Sequence, residues 1–248
     1  MLALITGASS GLGREMAIYL SELGYDLILV ARRKERLQEL QKRLSTHVTI
    51  FTYDLQKSEN IYELHKKVQD KEIDLLINNA GFGLFGMFFE TSLDRELEMI
   101  DLNIKAYHIM TKLFLPSMMK RNQGRILNVA SAAGFLAGPR LNTYYATKNY
   151  VTKLSIALYE ELRRVKSQVK VSVLCPGPVA TEFNKVAQGT FQVEEENARK
   201  VARYAIDKTL KNKLIIVPDI FTKIGLFCNR FLPWKLSARI VYHIQKRK

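Results

Sequence analysis

The sequence is short of cysteine, histidine and tryptophan, with two, four and one of each in 248 residues. Two thiols, Cys175 and Cys228, cannot supply the disulfide framework of a small secreted domain, and their scarcity reads as reduced thiols in a cytoplasmic protein. His47, His65, His108 and His243 are scattered, with no cysteine at ligand spacing, so no metal centre is expected. No apolar run reaches the ~20 residues that span a bilayer. The best candidate, residues 214–234, is broken by Pro218, Asp219, Lys223 and Arg230. Residues 1–5 are apolar but run at once into a glycine-rich stretch with no basic segment before them, which does not read as a secretory signal. Acidic residues are also in deficit: 24 Asp and Glu stand against 38 Lys and Arg, a formal charge of +14.

Half of that excess sits at one end, because residues 220–248 hold seven basic residues and no acidic one. Such a balance suits nucleic acid, a membrane surface or an anionic substrate. No nucleic-acid-binding module accompanies it, so nucleic acid is not expected as a partner. In the same stretch Ile220, Phe221, Ile224, Phe227, Phe231, Trp234, Ala238, Val241 and Ile244 recur at roughly helical spacing, with the basic residues mostly on the other face. The first expectation is a helix pair packed on its own domain with a solvated basic rim. Peripheral contact with an anionic membrane, a cover over the substrate pocket and a subunit interface are the alternatives.

What is present is a globular composition, 47% apolar and 25% charged, in a chain long enough for one large α/β domain. Short β-branched apolar runs at 2–6, 26–30, 48–52, 74–77, 125–129, 169–174 and 214–217 read as strands. Most are apolar throughout, as strands buried on both faces are. Between them 14–23, 34–44, 58–69, 94–120, 142–165 and 193–211 read as helices. Alternation of strand and helix predicts a doubly wound parallel sheet of about seven strands, a Rossmann-type α/β domain over residues 1–219 with 220–248 as an extension.

The first strand runs into Thr6, Gly7, Ala8, Ser9, Ser10, Gly11, Leu12 and Gly13, and then into a helix. Glycines at a strand–helix junction allow a tight turn and close backbone approach to a pyrophosphate, with free N–H groups at the helix start facing the anion. At the end of the second strand, where an acid would hold the ribose 2′-hydroxyl of NAD, the chain reads Ala31, Arg32, Arg33, Lys34. Arg32 is the expected 2′-phosphate contact, with Arg14 in support, and the cofactor expected is NADP(H).

Tyr144 and Lys148 are four residues apart in a helical pattern and share a face. An ammonium beside a phenol favours phenolate and moves its pKa toward neutrality, where proton exchange with a carbonyl or alcohol works best. Tyr145 has no lysine at that spacing and is expected to point elsewhere. Ser131 follows the fifth strand, Asn78, Asn79, Ala80 and Gly81 follow the fourth, and Asn103 lies inside a long helical pattern it does not favour.

Together with Asp54 and the run Pro176, Gly177, Pro178, Val179, Ala180, Thr181, these motifs occur in an order that resembles the short-chain dehydrogenase/reductase family of the classical type over residues 1–183. The resemblance implies Tyr144 as general acid, Lys148 as the cation beside it and a holder of the nicotinamide ribose, Ser131 as polariser of the substrate carbonyl, and Asn103 as holder of a relay water. It implies cofactor contacts from Gly7, Ala8, Ser9, Ser10, Gly11, Leu12 and Gly13. Asp54 and Leu55 would meet the adenine, Asn78, Ala80 and Gly81 would flank the adenosine, and Pro176, Gly177, Val179 and Thr181 would adjoin the nicotinamide. It also implies a substrate lid over residues 182–197, whose Phe183, Val186, Ala187, Phe191 and Val193 suit an apolar ligand, as do Phe82, Leu84, Phe85, Met87, Phe88, Phe89 and Phe135. The expected function is NADPH-dependent reduction of a hydrophobic ketone by a homodimer. Alcohol oxidation and a non-catalytic NADP-binding scaffold are the competing readings.

Overall fold

The structure, a computed structural model, describes residues 1–183, 187 and 196–245. The expected lid residues Val186, Phe191 and Val193, the start of the expected 193–211 helix and the terminal Lys246, Arg247 and Lys248 lie outside the described residues.

Seven strands form one parallel sheet: β1 (Leu2–Thr6), β2 (Asp26–Ala31), β3 (Val48–Thr52), β4 (Leu75–Asn78), β5 (Arg125–Val129), β6 (Lys170–Leu174) and β7 (Ile215–Ile216). Their spatial order is 3-2-1-4-5-6-7. β1 therefore pairs with β2 on one side and β4 on the other, and the winding direction reverses there. That reversal opens a crevice at the carboxyl ends of β1 and β4, where open α/β sheets bind their ligands.

Alternate residues of each strand feed two cores. Ala3 and Ile5 face Met16 and Leu20 of α1 (Gly11–Glu22), Leu37 of α2 (Lys34–Arg43) and Val201 and Ile206 of α7 (Ala198–Leu210). Leu4 and Ile28 face the other way, with Leu64 of α3 (Ser58–Val68) and Met110 and Phe114 of α5 (Ala106–Arg121). The apolar strands are thus buried on both faces, as their composition requires.

The long helical pattern at 94–120 is realised as α4 (Leu93–Ile100), a π-helical turn (Asp101–Lys105) and α5. π turns widen a helix by one residue and concentrate at functional sites. This one contains Asn103, which is fully buried. α5 ends where Asn122 adopts φ 50°, a left-handed cap that asparagine tolerates. α6 (Asn142–Arg164) carries Tyr144 and Lys148 against β5 and β6.

After β7 come α8 (Ile220–Asn229) and α9 (Trp234–Ile244). The packed helix pair expected here is only half realised. α9 buries Ser237 and Val241, whereas α8 buries none of its residues. Among the described residues no helix is long and apolar enough to cross a membrane.

Candidate active site

The glycine-rich loop is built around Thr6. Its Oγ1 accepts from the backbone N–H of Asn79 (2.9 Å) and Ala80 (3.1 Å), while Asn79 Nδ2 donates to Thr6 O (2.9 Å). The loops after β1 and β4 are thereby locked together. Gly7 and Gly11 have φ of 67° and 53°, a region that side chains other than glycine's strain to reach. Gly13 has no such φ but no room either: a Cβ there would lie 2.5 Å from both Asn79 Nδ2 and Gly7 O. Gly13→Ala must push two loops apart. It is expected to cost about 1–3 kcal/mol of stability and at least tenfold in NADPH affinity; thermal melts and a fluorescence titration check both.

The start of α1 is open to an anion. Its N-cap, Ser10, makes no side-chain cap bond and its first turn holds no acid. Helix N–H groups without partners attract phosphate. A cavity of about 730 Å³ lies over this end, lined by Ser9, Ser10, Gly11, Arg14, Arg36 and Thr181. Ala8 is buried and Leu12 packs on the core, so of this loop the serine hydroxyls and the backbone are what a ligand meets.

Arg33 stands beside this cavity, bonded to three of its lining residues. Its guanidinium donates to Ser9 Oγ (3.2 Å) and Ser10 Oγ (2.7 Å), and pairs with Glu182 Oε2 at 2.8 Å. Arg36 pairs with the other carboxylate oxygen at 2.7 Å. Arg32, the residue singled out by sequence, is exposed and has no hydrogen-bond or ion-pair partner among the described residues. β2 runs one residue further than expected, to Ala31, and of the two exposed arginines after it Arg33 is the one that bonds to the glycine-rich loop. Arg33 and Arg36 together hold the Glu182 carboxyl down at about 2.

The remaining expected cofactor contacts divide. Leu55 is buried at the end of β3, and Asp54 Oδ1 accepts from Gln56 N in a local turn. The Asn78 side chain turns into the interior, donating to Asn128 Oδ1 (2.9 Å) and Thr111 Oγ1 (3.2 Å), away from the crevice that Ala80 and Gly81 line. Pro176 O accepts from Ala132 N (2.8 Å), tying the loop after β6 to the one after β5. Gly177 lies against Thr222, Val179 bridges to Glu196, and Thr181 crosses the crevice to within contact of Gly11.

Ser131, Tyr144, Lys148 and Asn103 converge at the inner end of this crevice. The Ser131 hydroxyl accepts from Ala133 N (3.2 Å), donates to Pro176 O (3.5 Å) and stands close enough to the Tyr144 phenol to pull its pKa down. Lys148 Nζ donates to Val129 O at 2.9 Å and stands 5.8 Å from the Tyr144 ring centroid. Asn103 Nδ2 donates to Phe82 O (2.9 Å) and Thr147 Oγ1 (3.1 Å), and its Oδ1 accepts from Phe82 N (3.1 Å). Its side chain is thus fully engaged in holding α6 against the loop after β4. Gly81 makes the approach possible, since a Cβ there would meet Asn103 Oδ1 at 2.8 Å and Lys148 Nζ at 3.5 Å. Tyr145 points away: its hydroxyl accepts from Gln245 of the C-terminal segment.

Electrostatics here run against the simple spacing argument. Burial pushes the Tyr144 phenol up to about 12, with the Ser131 hydroxyl opposing it, and burial pulls Lys148 down to about 8. Lysine therefore loses its charge before the phenol titrates, and the cation is absent when it would help phenolate form. At neutral pH the pair rests as phenol and ammonium, the protonation state of a proton donor with a cation ready beside the charge it leaves. Cys175, behind Lys148, is pushed up to about 12 by burial and stays a thiol.

The residues present fit a dinucleotide: a glycine turn that a Cβ would fill, an uncapped helix start, two arginines on one anion, and a crevice leading to a phenol. A family model described as short chain dehydrogenase matches residues 1–190. NADP-dependent 3-hydroxy acid dehydrogenase YdfG of Salmonella typhi is 34% identical over 227 residues, covering 90% of this chain and 86% of that protein. Estradiol 17-beta-dehydrogenase 11 of Macaca fascicularis is 33% identical over 244 residues, covering 96% and 81%. Among solved structures, a short-chain dehydrogenase from Sphingobium yanoikuyae in complex with NADPH superposes with a TM-score of 0.83 at 27% identity, covering 92% of each chain. The matched residues 1–190 contain the loop, the crevice and the inner cluster, and this chain belongs to the short-chain dehydrogenase/reductase family of oxidoreductases.

Proposed function

We propose that the protein reduces an apolar ketone to an alcohol with NADPH, and that Tyr144 delivers the proton. The observation that carries this reading is the buried Tyr144 phenol, with Ser131 beside it and Lys148 flanking its ring at the inner end of the crevice. NADPH, when bound, supplies the hydride. The chain does the rest. Ser131 Oγ and Tyr144 Oη both donate to the substrate oxygen and fix its position. Tyr144 then gives up its proton, and the Lys148 ammonium, held by Val129 O, stabilises the phenolate left behind. Asn103 acts as a positioning residue that fixes α6 and hence both groups.

Preference for NADP(H) rests on Arg33 and Arg36 and on the lack of an acid at the end of β2. The NADP-dependent relative and the NADPH-bound neighbour support it. In the ligand-free protein the two arginines hold Glu182, so a 2′-phosphate displaces a carboxylate already on the site. Arg33→Ala is expected to lower NADPH affinity at least tenfold while changing NADH affinity little. Glu182→Gln is expected to raise NADPH affinity several-fold. Cofactor titrations by fluorescence measure both, and an NADH affinity that falls as far as that for NADPH contradicts the assignment.

Phe183 packs on Tyr144 with the rings tilted by 54° and their centroids 5.2 Å apart, and Gly83 is the position that lets Phe183 lie so close. Of the expected apolar wall, Phe82 belongs to the core, Leu84 and Phe85 pack against it, and Phe88 and Phe89 face solvent. The wall beside the phenol is aromatic, which favours a hydrophobic substrate. The relatives' names cover a hydroxy acid and a steroid. NADPH oxidation against acyl, steroid, aromatic, hydroxy-acid-derived and sugar carbonyls therefore tests the reading. Turnover of apolar ketones is expected, and turnover of sugars alone contradicts it. A homodimer through the helical run that holds Asn103 and through α6, which holds Tyr144, is part of the same reading, supported by Leu93 and Leu97, which stay exposed on α4.

A further inference from the structure

Among the described residues, seventeen large hydrophobic side chains stay exposed, and nine of them lie within residues 220–244. Phe221 is 80% exposed, Trp234 76%, Phe231 74% and Phe227 60%. Scattered exposed hydrophobics are ordinary, but a concentration on two consecutive helices marks an interaction surface. These helices are fastened to the domain. Asp219 caps α8 by accepting from Thr222 N, Thr222 lies against Gly177, Arg140 donates to Tyr242 OH (3.1 Å), and Gln245 donates to Tyr145 OH. The apolar side chains are thus presented outward by a held scaffold.

Charge decides what covers them. Along the chain Lys223, Arg230, Lys235 and Arg239 fall between these residues, Lys223 reaching Tyr204, and the sequence contains no Asp or Glu after Asp219. A symmetric contact with a second copy brings two patches whose only charges are positive face to face, with no acid to offset them. An anionic bilayer accepts both features, with aromatic rings at the boundary between headgroups and acyl chains and the basic side chains among the lipid phosphates.

We propose that α8 and α9 dock this protein on the surface of an anionic lipid bilayer. Gln245 and Tyr242 touch Tyr145 and Arg140, which flank Tyr144 in the chain, so docking sets the substrate side of the crevice next to lipid. That last step rests on the functional reading above, whereas the docking does not.

Trp234 is the single tryptophan, so intrinsic emission reports this surface in the unaltered protein. Full-length protein is titrated with phosphatidylcholine–phosphatidylglycerol vesicles, and emission, acrylamide quenching and co-sedimentation are followed. The expected result is a blue shift, protection from acrylamide and co-sedimentation, at least about tenfold weaker with phosphatidylcholine alone and weakened by salt. The variant Phe221→Ser/Phe227→Ser is expected to lower partitioning at least about tenfold with NADPH affinity and circular dichroism unchanged. Emission that does not move, with protein left in the supernatant, overturns the proposal. So does a tryptophan already blue-shifted and protected without vesicles, which means that protein covers the face. Equal binding to neutral vesicles overturns the anionic preference.

Discussion

Lys148→Met is expected to leave a protein that folds more stably at pH 7 and barely turns over. The lysine is 4% exposed, and burial has lowered its pKa from the ordinary 10.5 to about 8. At pH 7 the folded state therefore carries a charge that it holds less favourably than the unfolded chain does. The difference corresponds to roughly 3 kcal/mol. Methionine fills similar volume without that cost. Removing the ammonium does not orphan its acceptor either, because Val129 O also accepts from Tyr107 OH at 3.1 Å. The sign follows from proton counting. Between about pH 8 and 10.5 the unfolded chain binds a proton at this site that the folded one does not, so wild-type stability rises with pH across that window. The advantage of Lys148→Met is greatest below pH 8 and shrinks above it. Urea denaturation at several pH values measures this. Activity goes the other way, with kcat/KM falling about 10³-fold as the cation that stabilises the phenolate is lost. In the wild type, kcat/KM for reduction is expected to decline above about pH 8 for the same reason. A variant both less stable and still active contradicts the role given to Lys148.

Tyr144→Phe and Tyr145→Phe are expected to separate cleanly. The two phenols are adjacent in sequence, with ring centroids 6.2 Å apart. Only Tyr144 meets Ser131 and faces Lys148; Tyr145 turns to Gln245. Tyr144→Phe removes the proton donor and is expected to lower kcat by about 10³-fold or more, an effect on the scale of losing a general acid together with a positioning hydrogen bond. Its NADPH affinity and melting temperature are expected to change little, because the ring packing on Phe183 remains. Tyr145→Phe keeps kcat within about threefold and instead loses the tie to the C-terminal segment, costing about 1 kcal/mol. Reversal of the two outcomes moves the chemistry to Tyr145.

The fold was legible because β1, β3 and β5 are short, mostly apolar runs bounded by polar turns, and their limits coincide with the expected ones. The site was legible where chemistry depends on spacing alone. Tyr144 and Lys148 share a helical face whatever surrounds them. Spacing is blind to burial, so it gave the right neighbours but the wrong direction for the phenol. It is blind, too, to where a strand stops. β2 runs one residue past its expected end, and of the two arginines beyond it Arg33 is the one that bonds to Ser9, Ser10 and Glu182. The π turn at Asn103 left only an unfavoured residue as its signal, since a uniform 3.6 period fits the flanking helices equally well. Asn78 looks like a ligand contact by its place after β4, yet its side chain serves the Asn128–Ser155 chain of buried hydrogen bonds. The C-terminal periodicity identified an apolar face without showing that α8 leaves it open.

Hydrogen transfer itself is the most direct measurement. NADPH carrying deuterium at both C4 positions of the dihydropyridine is incubated with a turned-over ketone and wild-type protein or Tyr144→Phe, and the alcohol is analysed by mass spectrometry. Deuterium on the carbinol carbon with wild type, and none above background with the variant, is the predicted result. Deuterium-free alcohol, or equal labelling rates from both proteins, contradicts reduction at this phenol.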